Sequence, residues 1–330
     1  MKKKSFVIGV DVSKLTLDVH CYGKTHCLLV GNNPSGHKSF LKWIKKQISK
    51  DVGEVLVVME YAGMYTYGFE KFLHAQGIDY VKRSALDIKR SAGMKRGKSD
   101  KADARMISQY GWYRREELTP AKPAGKTGQQ LQQLMAHRDK LVKDKASYQV
   151  RLKELQQHLG EDLPARVIES TQFIVDVLTE EIKELERDIE ELLKTESSLQ
   201  RNFELIRTIK GVGFVSAVHM LLVTENFTRF REVRKFACYC GVAPFKNESG
   251  TSIRGKTRTS HLANKKIKSL LTMAAISAIN HQSELKEKYQ KKLQQGKAKM
   301  VALNMIRFEL IERIFAVIKR QTPYVLRPAA

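Results

Sequence analysis

Cysteine, proline and tryptophan are scarce in this 330-residue chain, and long apolar runs are absent. The four cysteines are too few for a disulfide framework in a chain of this length, and their spacing does not suit zinc: they are Cys21, Cys27, Cys238 and Cys240. The apolar run Phe6–Val10 is too short for a signal peptide, and the run 213–223 falls short of the roughly 18 residues of a membrane span. We therefore expect a cytoplasmic protein with no membrane contact.

Acidic residues are also in short supply. The chain has 59 Lys and Arg against 35 Asp and Glu, which gives a formal net charge of +24. The charge is segregated: residues 1–128 carry +12, residues 129–200 carry −5 and residues 201–330 carry +17. So positive a chain predicts a polyanionic partner such as nucleic acid. The alternative is a ribosomal or merely soluble basic protein.

The first block, residues 1–128, has the pattern of an α/β domain. Short apolar runs at 6–10 and 54–59 are typical of buried strands, and the alternation at 15–19 is typical of a half-exposed strand. Further strands are predicted at 26–30 and 78–81, and helices at 35–48, 65–76 and 100–113. Three successive strands followed by crossover units predict a mixed sheet with helices on its faces.

The middle block, residues 129–200, predicts two long helices. Apolar residues recur at steps of three and four from Leu131 to Leu159 and again from Ile168 to Leu199, as in a coiled-coil seam. Gly160 and Pro164 separate the two series and favour a hairpin. We interpret the pair as a dimerisation arm, and the alternative is a packing face within one chain. The last block, residues 201–330, is predicted to be mostly α-helical, with a cationic loop at 241–260.

Four acidic residues stand where they could act together. Asp11 and Glu60 each follow an apolar strand, where a carboxylate is costly unless it is compensated. Asp100 and Asp103 are three residues apart, so a helix would present both on one face of its first turn. Four converging carboxylates would suit Mg²⁺ or Mn²⁺. Taken singly, Asp100 could be only a helix cap and Glu60 only a solvated strand end.

These motifs resemble those of a known family. The sequences Gly-Val-Asp-Val-Ser-Lys around Asp11, Val-Met-Glu at Glu60 and Ser-Asp-Lys-Ala-Asp-Ala at 99–104 resemble the DEDD tetrad of the IS110/IS1111 family of transposases. The segments 206–213 and 239–250 resemble the second domain of that family. The resemblance implies an N-terminal domain similar to the RuvC Holliday-junction resolvase, with an RNase H-like fold, in which the four acids are catalytic and bind metal.

Ser249 is the second catalytic candidate. By its own sequence context it would be read as a turn residue in the cationic loop, and Ser252 and Ser260 are rival positions. The family resemblance implies that this serine is a nucleophile that forms a phosphoserine link to DNA. A serine hydroxyl needs a base or a metal to become reactive. Arg254, Lys256 and Arg258 lie nearby in sequence and could steady the charge of a phosphate.

The segment Lys210-Gly-Val-Gly213 predicts a glycine turn of the kind found in helix-hairpin-helix units. Gly211 and Gly213 would let the backbone approach a phosphate, although a Gly-x-Gly pair could equally be a simple tight turn. A basic run at 286–299 could bind a nucleic acid backbone or could be a solvated helix face.

The resemblance implies a recombinase of an insertion element that cuts and rejoins DNA. It also implies a composite site with the serine supplied by another protomer, dimers that assemble into a tetramer, and a structured non-coding RNA that guides the enzyme. Site-specific DNA inversion is an alternative outcome of the same chemistry. Two other hypotheses are a hydrolytic nuclease that uses only the four acids and a nucleic-acid-binding scaffold with a degenerate site.

Overall fold

The computed structural model describes residues 4–25, 27–91, 100–121, 123, 125–249, 253–260 and 262–325. The side chains at 100, 101, 246–249 and 253–257 lie outside the described part. The chain divides into two compact units, residues 1–123 and residues 124–330. Among the described helices, none is long and apolar enough to cross a membrane.

The first unit is built on a five-stranded mixed sheet. Its elements follow one another as β1 (Phe6–Val12), β2 (Thr16–Cys21), β3 (Cys27–Gly31), α1 (Pro34–Trp43), β4 (Val55–Glu60), α2 (Tyr67–Ala75), β5 (Asp79–Arg83), α3 (Ala85–Ser91) and α4 (Asp100–Arg114). The strand order across the sheet is β3-β2-β1-β4-β5. β1, β2 and β3 pair antiparallel, whereas β4 and β5 run parallel to β1. The predicted mixed sheet is therefore confirmed.

The two faces of this sheet carry separate cores. One core contains Ile8, Val10 and Met59 together with Phe40 of α1 and Phe69 of α2. The core on the opposite face joins residues of β1, β4 and β5 to α3, α4 and the segment after α4: Val7, Leu56, Val58, Val81, Ile88, Met106, Ile107, Tyr110 and Leu118. Helices thus cover both faces, because the central strands alternate between two apolar sets of side chains.

The second unit is mainly helical. Two long helices, α5 (Lys126–Leu159) and α6 (Ala165–Lys194), are joined by a short turn at Gly160–Asp162. They are followed by α7 (Ser197–Arg207), α8 (Phe214–Thr224), α9 (Val233–Tyr239), β6 (Pro244–Ser249), β7 (Ile253–Thr259), α10 (Lys265–His281), α11 (Ser283–Gln294) and α12 (Lys299–Arg320). Arg138 near the start of α5 bonds Glu186 near the end of α6 at 2.7 Å, so the predicted hairpin is confirmed.

Only part of the α5–α6 seam is fully buried. Leu131 and Met135 of α5 join Ile189 and Leu193 of α6 in the main core of the second unit. Farther along the hairpin, Phe173 and Val177 are among the apolar side chains that remain exposed. The seam therefore packs the two helices of one chain together, and apolar surface is left over on α6.

The cationic loop predicted at 241–260 is instead a β-hairpin. β6 and β7 pair antiparallel, with Ser249 opposite Ile253 and Phe245 opposite Arg258. The prediction of a loop was wrong because a strand is recognised from apolar residues that alternate on a buried face. The sequences Pro-Phe-Lys-Asn-Glu-Ser of β6 and Ile-Arg-Gly-Lys-Thr-Arg-Thr of β7 have no such alternation of apolar residues.

Candidate functional site

Asp11 and Glu60 lie at the same level on neighbouring strands. β1 and β4 are parallel and in register up to the pair Val10 and Met59, and each acid is the next residue on its strand. Val10 and Met59 face the α1–α2 core, so Asp11 and Glu60 face the opposite side of the sheet, toward α4. Neighbouring strands are about 4.8 Å apart, which brings two half-buried carboxylates side by side.

Two glycines bring α4 close to this side of the sheet. A Cβ on Gly9 would overlap with the backbone of Ala104 and Ser108, and a Cβ on Gly111 would come within 2.7 Å of Val7. Along α4, residue 111 therefore lies over the start of β1 and residues 104–108 over its middle. The helix runs antiparallel to β1, so its first turn points toward the end of β1 that carries Asp11.

The start of α4 supplies the other two candidate acids. Asp103 is half buried in the first turn. The backbone position of Asp100 is one turn before Ala104, on the stripe of the helix that meets the sheet. The side chain of Asp100 lies outside the described residues. The backbone geometry thus brings Asp11, Glu60 and the first turn of α4 to one edge of the sheet.

The donor chemistry of this edge suits a hard divalent cation, since carboxylate oxygens are the ligands that Mg²⁺ and Mn²⁺ prefer. Within the described side chains, which omit that of Asp100, three or more acidic, histidine or cysteine residues nowhere lie close enough together to hold a metal ion. The described side chains of Asp11, Glu60 and Asp103 therefore do not form a metal site by themselves, and the predicted contribution of the Asp100 side chain lies outside the described residues.

A buried polar contact fixes α4 on β2. The Nδ1 atom of His20 lies 2.7 Å from the Oγ atom of Ser108. The Ser108 hydroxyl also lies 2.8 Å from the carbonyl oxygen of Arg105, so its proton can go either to that oxygen or to the His20 ring. Burial, followed by the charge of Arg105, lowers the pKa of His20, so its ring stays neutral.

More charged residues lie at this edge of the sheet than the sequence predicted. Asp18 of β2 pairs directly with Asp11, and Arg83 of β5 pairs with Glu60. All four positions are on the α4 side of the sheet, at one level across four strands. Asp18 was not predicted as a site residue. The short connection between β1 and β2 was the available signal, because a tight hairpin places residues 11 and 18 opposite each other.

The structure places Ser249 at the end of β6, in the second unit. The side chains of Ser249, Arg254 and Lys256 are outside the described residues, and so is Ser252. Their backbone register puts Arg254 opposite Glu248, one position from the serine. Arg258 is exposed. The rival Ser260 accepts a hydrogen bond from the backbone of Leu262 at 3.1 Å, which is a turn-forming role.

The glycine turn at 210–213 has two different sides. Gly211 has φ +93°, and a Cβ there would approach the backbone of Ala274 and Ala278 of α10 within 2.8 Å. Close packing within the unit therefore explains this glycine. Gly213 precedes the first residue of α8 and has open space around it, and Lys210 is exposed. The predicted contact of Lys210, Gly211 and Gly213 with a phosphate stays a prediction.

The chain matches two family models. Residues 8–159 match a transposase model of the IS110 DEDD type, and residues 203–290 match the model of the transposase IS116/IS110/IS902 family. The first range contains the four candidate acids, and the second contains Ser249 and the glycine turn.

Individual relatives agree with these matches. The chain is 26% identical to the pilin gene-inverting protein of Moraxella lacunata and 25% identical to that of Moraxella bovis, in each case over 96% of this chain and 97% of the relative. It is 27% identical to the insertion element IS110 uncharacterized 43.6 kDa protein of Streptomyces coelicolor over 38% of this chain and 31% of that protein. Both family models and these relatives lead to the same assignment: the chain belongs to the IS110 family of transposases.

Proposed function

We propose that the protein is a DNA recombinase of an insertion element that cuts and rejoins DNA through the acids of the first unit and Ser249 of the second. The observation that carries the proposal is the register of β1 and β4, which sets Asp11 beside Glu60 beneath the start of α4. Paired carboxylates at a strand edge are suited to phosphoryl transfer in a basic protein that binds polyanions.

We further propose that the first unit has an RNase H-like fold. The strand order β3-β2-β1-β4-β5, with an antiparallel three-stranded meander followed by two parallel strands, supports this assignment. Helices lie on both sheet faces, as a mixed sheet with crossover connections requires.

Asp11, Glu60, Asp100 and Asp103 are proposed to hold Mg²⁺ or Mn²⁺. Such an ion, when bound, supplies positive charge to the attacking and leaving oxygens of a phosphoryl displacement. The four carboxylates would position the charge of the ion. On this proposal, the contact of His20 with Ser108 holds α4 against β2 and so helps to position the acids at the start of α4. Asp18 adds a further carboxylate on the β2 side.

Ser249 is proposed as the nucleophile. Its Oγ attacks a DNA phosphorus, a new Oγ–P bond forms, the bond from phosphorus to a deoxyribose oxygen breaks, and the serine proton passes to a base or to water. The freed deoxyribose hydroxyl is the leaving group. The phosphoserine keeps one phosphodiester linkage, so a second DNA hydroxyl can reverse the step and rejoin strands without ATP.

Rejoining distinguishes this proposal from a hydrolytic nuclease. The two relatives that align over nearly the whole chain are named as gene-inverting proteins. Inversion requires that every cut strand be resealed, which hydrolysis by the four acids alone would not achieve. The serine route therefore fits such relatives better, and DNA inversion remains an alternative outcome to transposition for this chain.

We also propose the partners that the family implies: donor and target DNA, a structured guide RNA, and a homodimer that assembles into a tetramer with the serine acting on the acids of another protomer. The +17 charge of residues 201–330 supports contact with a nucleic acid backbone. The exposed apolar residues Phe173 and Val177 on α6 support pairing of protomers through the hairpin.

A test of the serine route is the covalent adduct. Full-length protein is incubated with end-labelled element DNA, Mg²⁺ and the transcript of the element, and SDS-stable protein–DNA adducts are resolved by electrophoresis. Wild type and Ser260→Ala should form the adduct, and Ser249→Ala should not.

The other outcomes identify the rivals. Cutting without an adduct in wild type, unchanged in Ser249→Ala, would establish a hydrolytic nuclease. An adduct that survives Ser249→Ala but is lost in Ser260→Ala would move the nucleophile to that residue. If wild type and Asp11→Asn bind DNA equally and neither cuts it, the protein is a nucleic-acid-binding scaffold.

A further inference from the structure

Arg307 is a buried cation in the second unit. It lies on α12 and is 3% exposed. Its Nη1 atom donates to the Oδ1 atom of Asn304 at 3.3 Å, and among the described residues its Nε atom has no hydrogen-bond partner. A guanidinium stays charged in proteins, so burying it without an opposite charge is costly.

A second cation lies close enough to Arg307 to interact with it electrostatically. Lys268 of α10 is half buried, and burial followed by the charge of Arg307 lowers the pKa of its ammonium. Burial also lowers the pKa of Arg307. Within the described part of the chain, neither cation forms an ion pair with an acid. The two cations therefore repel each other in a partly desolvated place.

The neighbouring Arg313 shows what a compensated buried arginine looks like in this protein. It lies on the same helix and is 7% exposed. Its guanidinium donates to Gln282 at 2.8 Å, to Glu284 at 3.0 Å and to Glu309 at 2.6 Å. Arg307 has one amide contact and, among the described residues, no carboxylate partner.

The cation pair lies at the base of the β6–β7 hairpin. Asn304, the partner of Arg307, donates to the carbonyl of Val242 at 2.7 Å, two residues before β6. A Cβ on Gly241 would lie 3.7 Å from the Lys268 ammonium. Ser249 is five residues beyond Pro244, the first residue of β6, which is about 17 Å along an extended strand.

We propose that Arg307 and Lys268 form an anion site that takes a backbone phosphate of a bound nucleic acid strand, at a different nucleotide from the one that Ser249 attacks. A phosphate would supply the negative charge and the acceptor oxygens that the fold leaves out. The inference rests on the recombinase function proposed above and deepens it. The shared chemistry is a phosphodiester, which DNA and a guide RNA both provide.

The test exploits the uncompensated charge. Replacing Arg307 with an uncharged chain of similar length removes repulsion and desolvation without breaking an ion pair. Arg307→Met in full-length protein should therefore raise the melting temperature of the free protein in chloride. It should also weaken binding of a labelled DNA duplex by roughly tenfold or more. The matched control is Arg320→Met, an exposed arginine on the same helix, which should change neither value.

Three binding arms identify the source of the phosphate: element DNA, the element transcript and inorganic phosphate at constant ionic strength. If Arg307→Met weakens binding of only the DNA or only the RNA, that nucleic acid supplies the phosphate. If inorganic phosphate stabilises wild type but not Arg307→Met, the anion site itself is supported. Ser249→Ala should keep all three interactions, so failure of the serine route would not remove this site.

Other results would overturn the inference. A lower melting temperature for Arg307→Met, with unchanged affinity of the folded fraction, would make the arginine structural. A changed oligomeric mass with unchanged affinity would assign its anion to a carboxylate of another protomer. If Arg307→Met does not fold, Lys268→Met replaces it, with the exposed Lys265→Met as control. Equal DNA affinity for these two lysine variants would then reject the site.

Discussion

The Nδ1 atom of His20 on β2 forms a hydrogen bond of 2.7 Å with the Oγ atom of Ser108 on α4, and both side chains are buried. This bond joins two elements that are 88 positions apart in sequence. It lies beside Gly9, where the helix and the sheet are closest. The relationship matters because α4 carries two of the candidate acids at its start, and their distance from Asp11 depends on where the helix sits.

Ser108→Ala should lower the free energy of unfolding by about 1–3 kcal/mol, because it leaves the buried His20 ring without its partner. Denaturant unfolding at pH 7 measures this. Ser39→Ala, at an exposed serine of α1, should stay within about 0.5 kcal/mol of wild type. Equal small effects for both serines would mean that the bond does not hold α4.

Gly9→Ala should displace α4, because the new methyl group would overlap with the backbone of Ala104 and Ser108. We expect a loss of about 1–3 kcal/mol in stability together with loss of DNA cleavage. Gly128→Ala is the control: this glycine is inside α5 with open space around it, so the change should stabilise the helix by about 0.5–1 kcal/mol. Full cleavage by folded Gly9→Ala would show that the position of α4 is unimportant.

Asp11→Asn and Glu60→Gln should each reduce Mg²⁺-dependent cleavage by more than about 100-fold, since losing only an outer partner of a metal site costs 10–100-fold. Calorimetric titration with Mn²⁺ should show weaker binding in both variants. Glu117→Gln, an exposed acid in the same unit, should behave as wild type. Unchanged Mn²⁺ binding in the first two variants would contradict the proposed ligands.

Asp139 of α5 should make stability depend on acid pH. Burial alone would raise its pKa, but polar contacts with His219 at 3.3 Å and Lys266 at 2.8 Å outweigh burial and lower the pKa to about 2. A carboxyl with a depressed folded-state pKa stabilises the fold above its unfolded value near 3.9, and this contribution disappears as pH falls toward 2.

Asp139→Asn should therefore cost about 2 kcal/mol at pH 7 and progressively less below about pH 4. Chemical denaturation from pH 7 to pH 2.5 measures the difference from wild type. Asp176→Asn, at an exposed position of α6, should show a small difference that does not change with pH. A constant gap for Asp139→Asn over the whole range would refute the ionic explanation.

Phe173 and Val177 should govern oligomeric mass if α6 joins protomers. Their side chains are 69% and 51% exposed and lie one turn apart on one face. The double change Phe173→Ser and Val177→Ser should halve the mass measured by light scattering without lowering the melting temperature. Glu180→Ser, a nearby exposed position, should leave the mass unchanged. An unchanged mass in the double variant would leave the hairpin as a purely internal feature.

The predicted strands at 6–10 and 54–59 were confirmed because a strand buried on both faces is a continuous apolar run. The α5–α6 hairpin was equally visible, since its period is sustained and Gly160 ends the first helix. Helix α3 was not predicted, because only Ile88 of its seven residues is buried, which leaves too weak a pattern.

The residues that pair with the candidate acids across the sheet were harder to predict than the acids themselves. Asp11 and Glu60 could be chosen from their position after apolar strands, but Asp18 and Arg83 are placed beside them only by strand register. The same holds for the anion site, where Lys268 and Arg307 are 39 positions apart on two helices. Neither residue stands out in a sequence with 59 cations, because what distinguishes them is burial without an acid.

The number of residues in β4 determines which face of the sheet Glu60 occupies. Because side chains alternate between faces, inserting one residue between Val55 and Glu60 would turn the carboxylate toward Phe69 and away from Asp11, although composition and charge would hardly change. An insertion in the turn at Gly160–Asp162 would have no such effect. Length variation in the family should therefore be tolerated at the tip of the hairpin and forbidden within the two central strands.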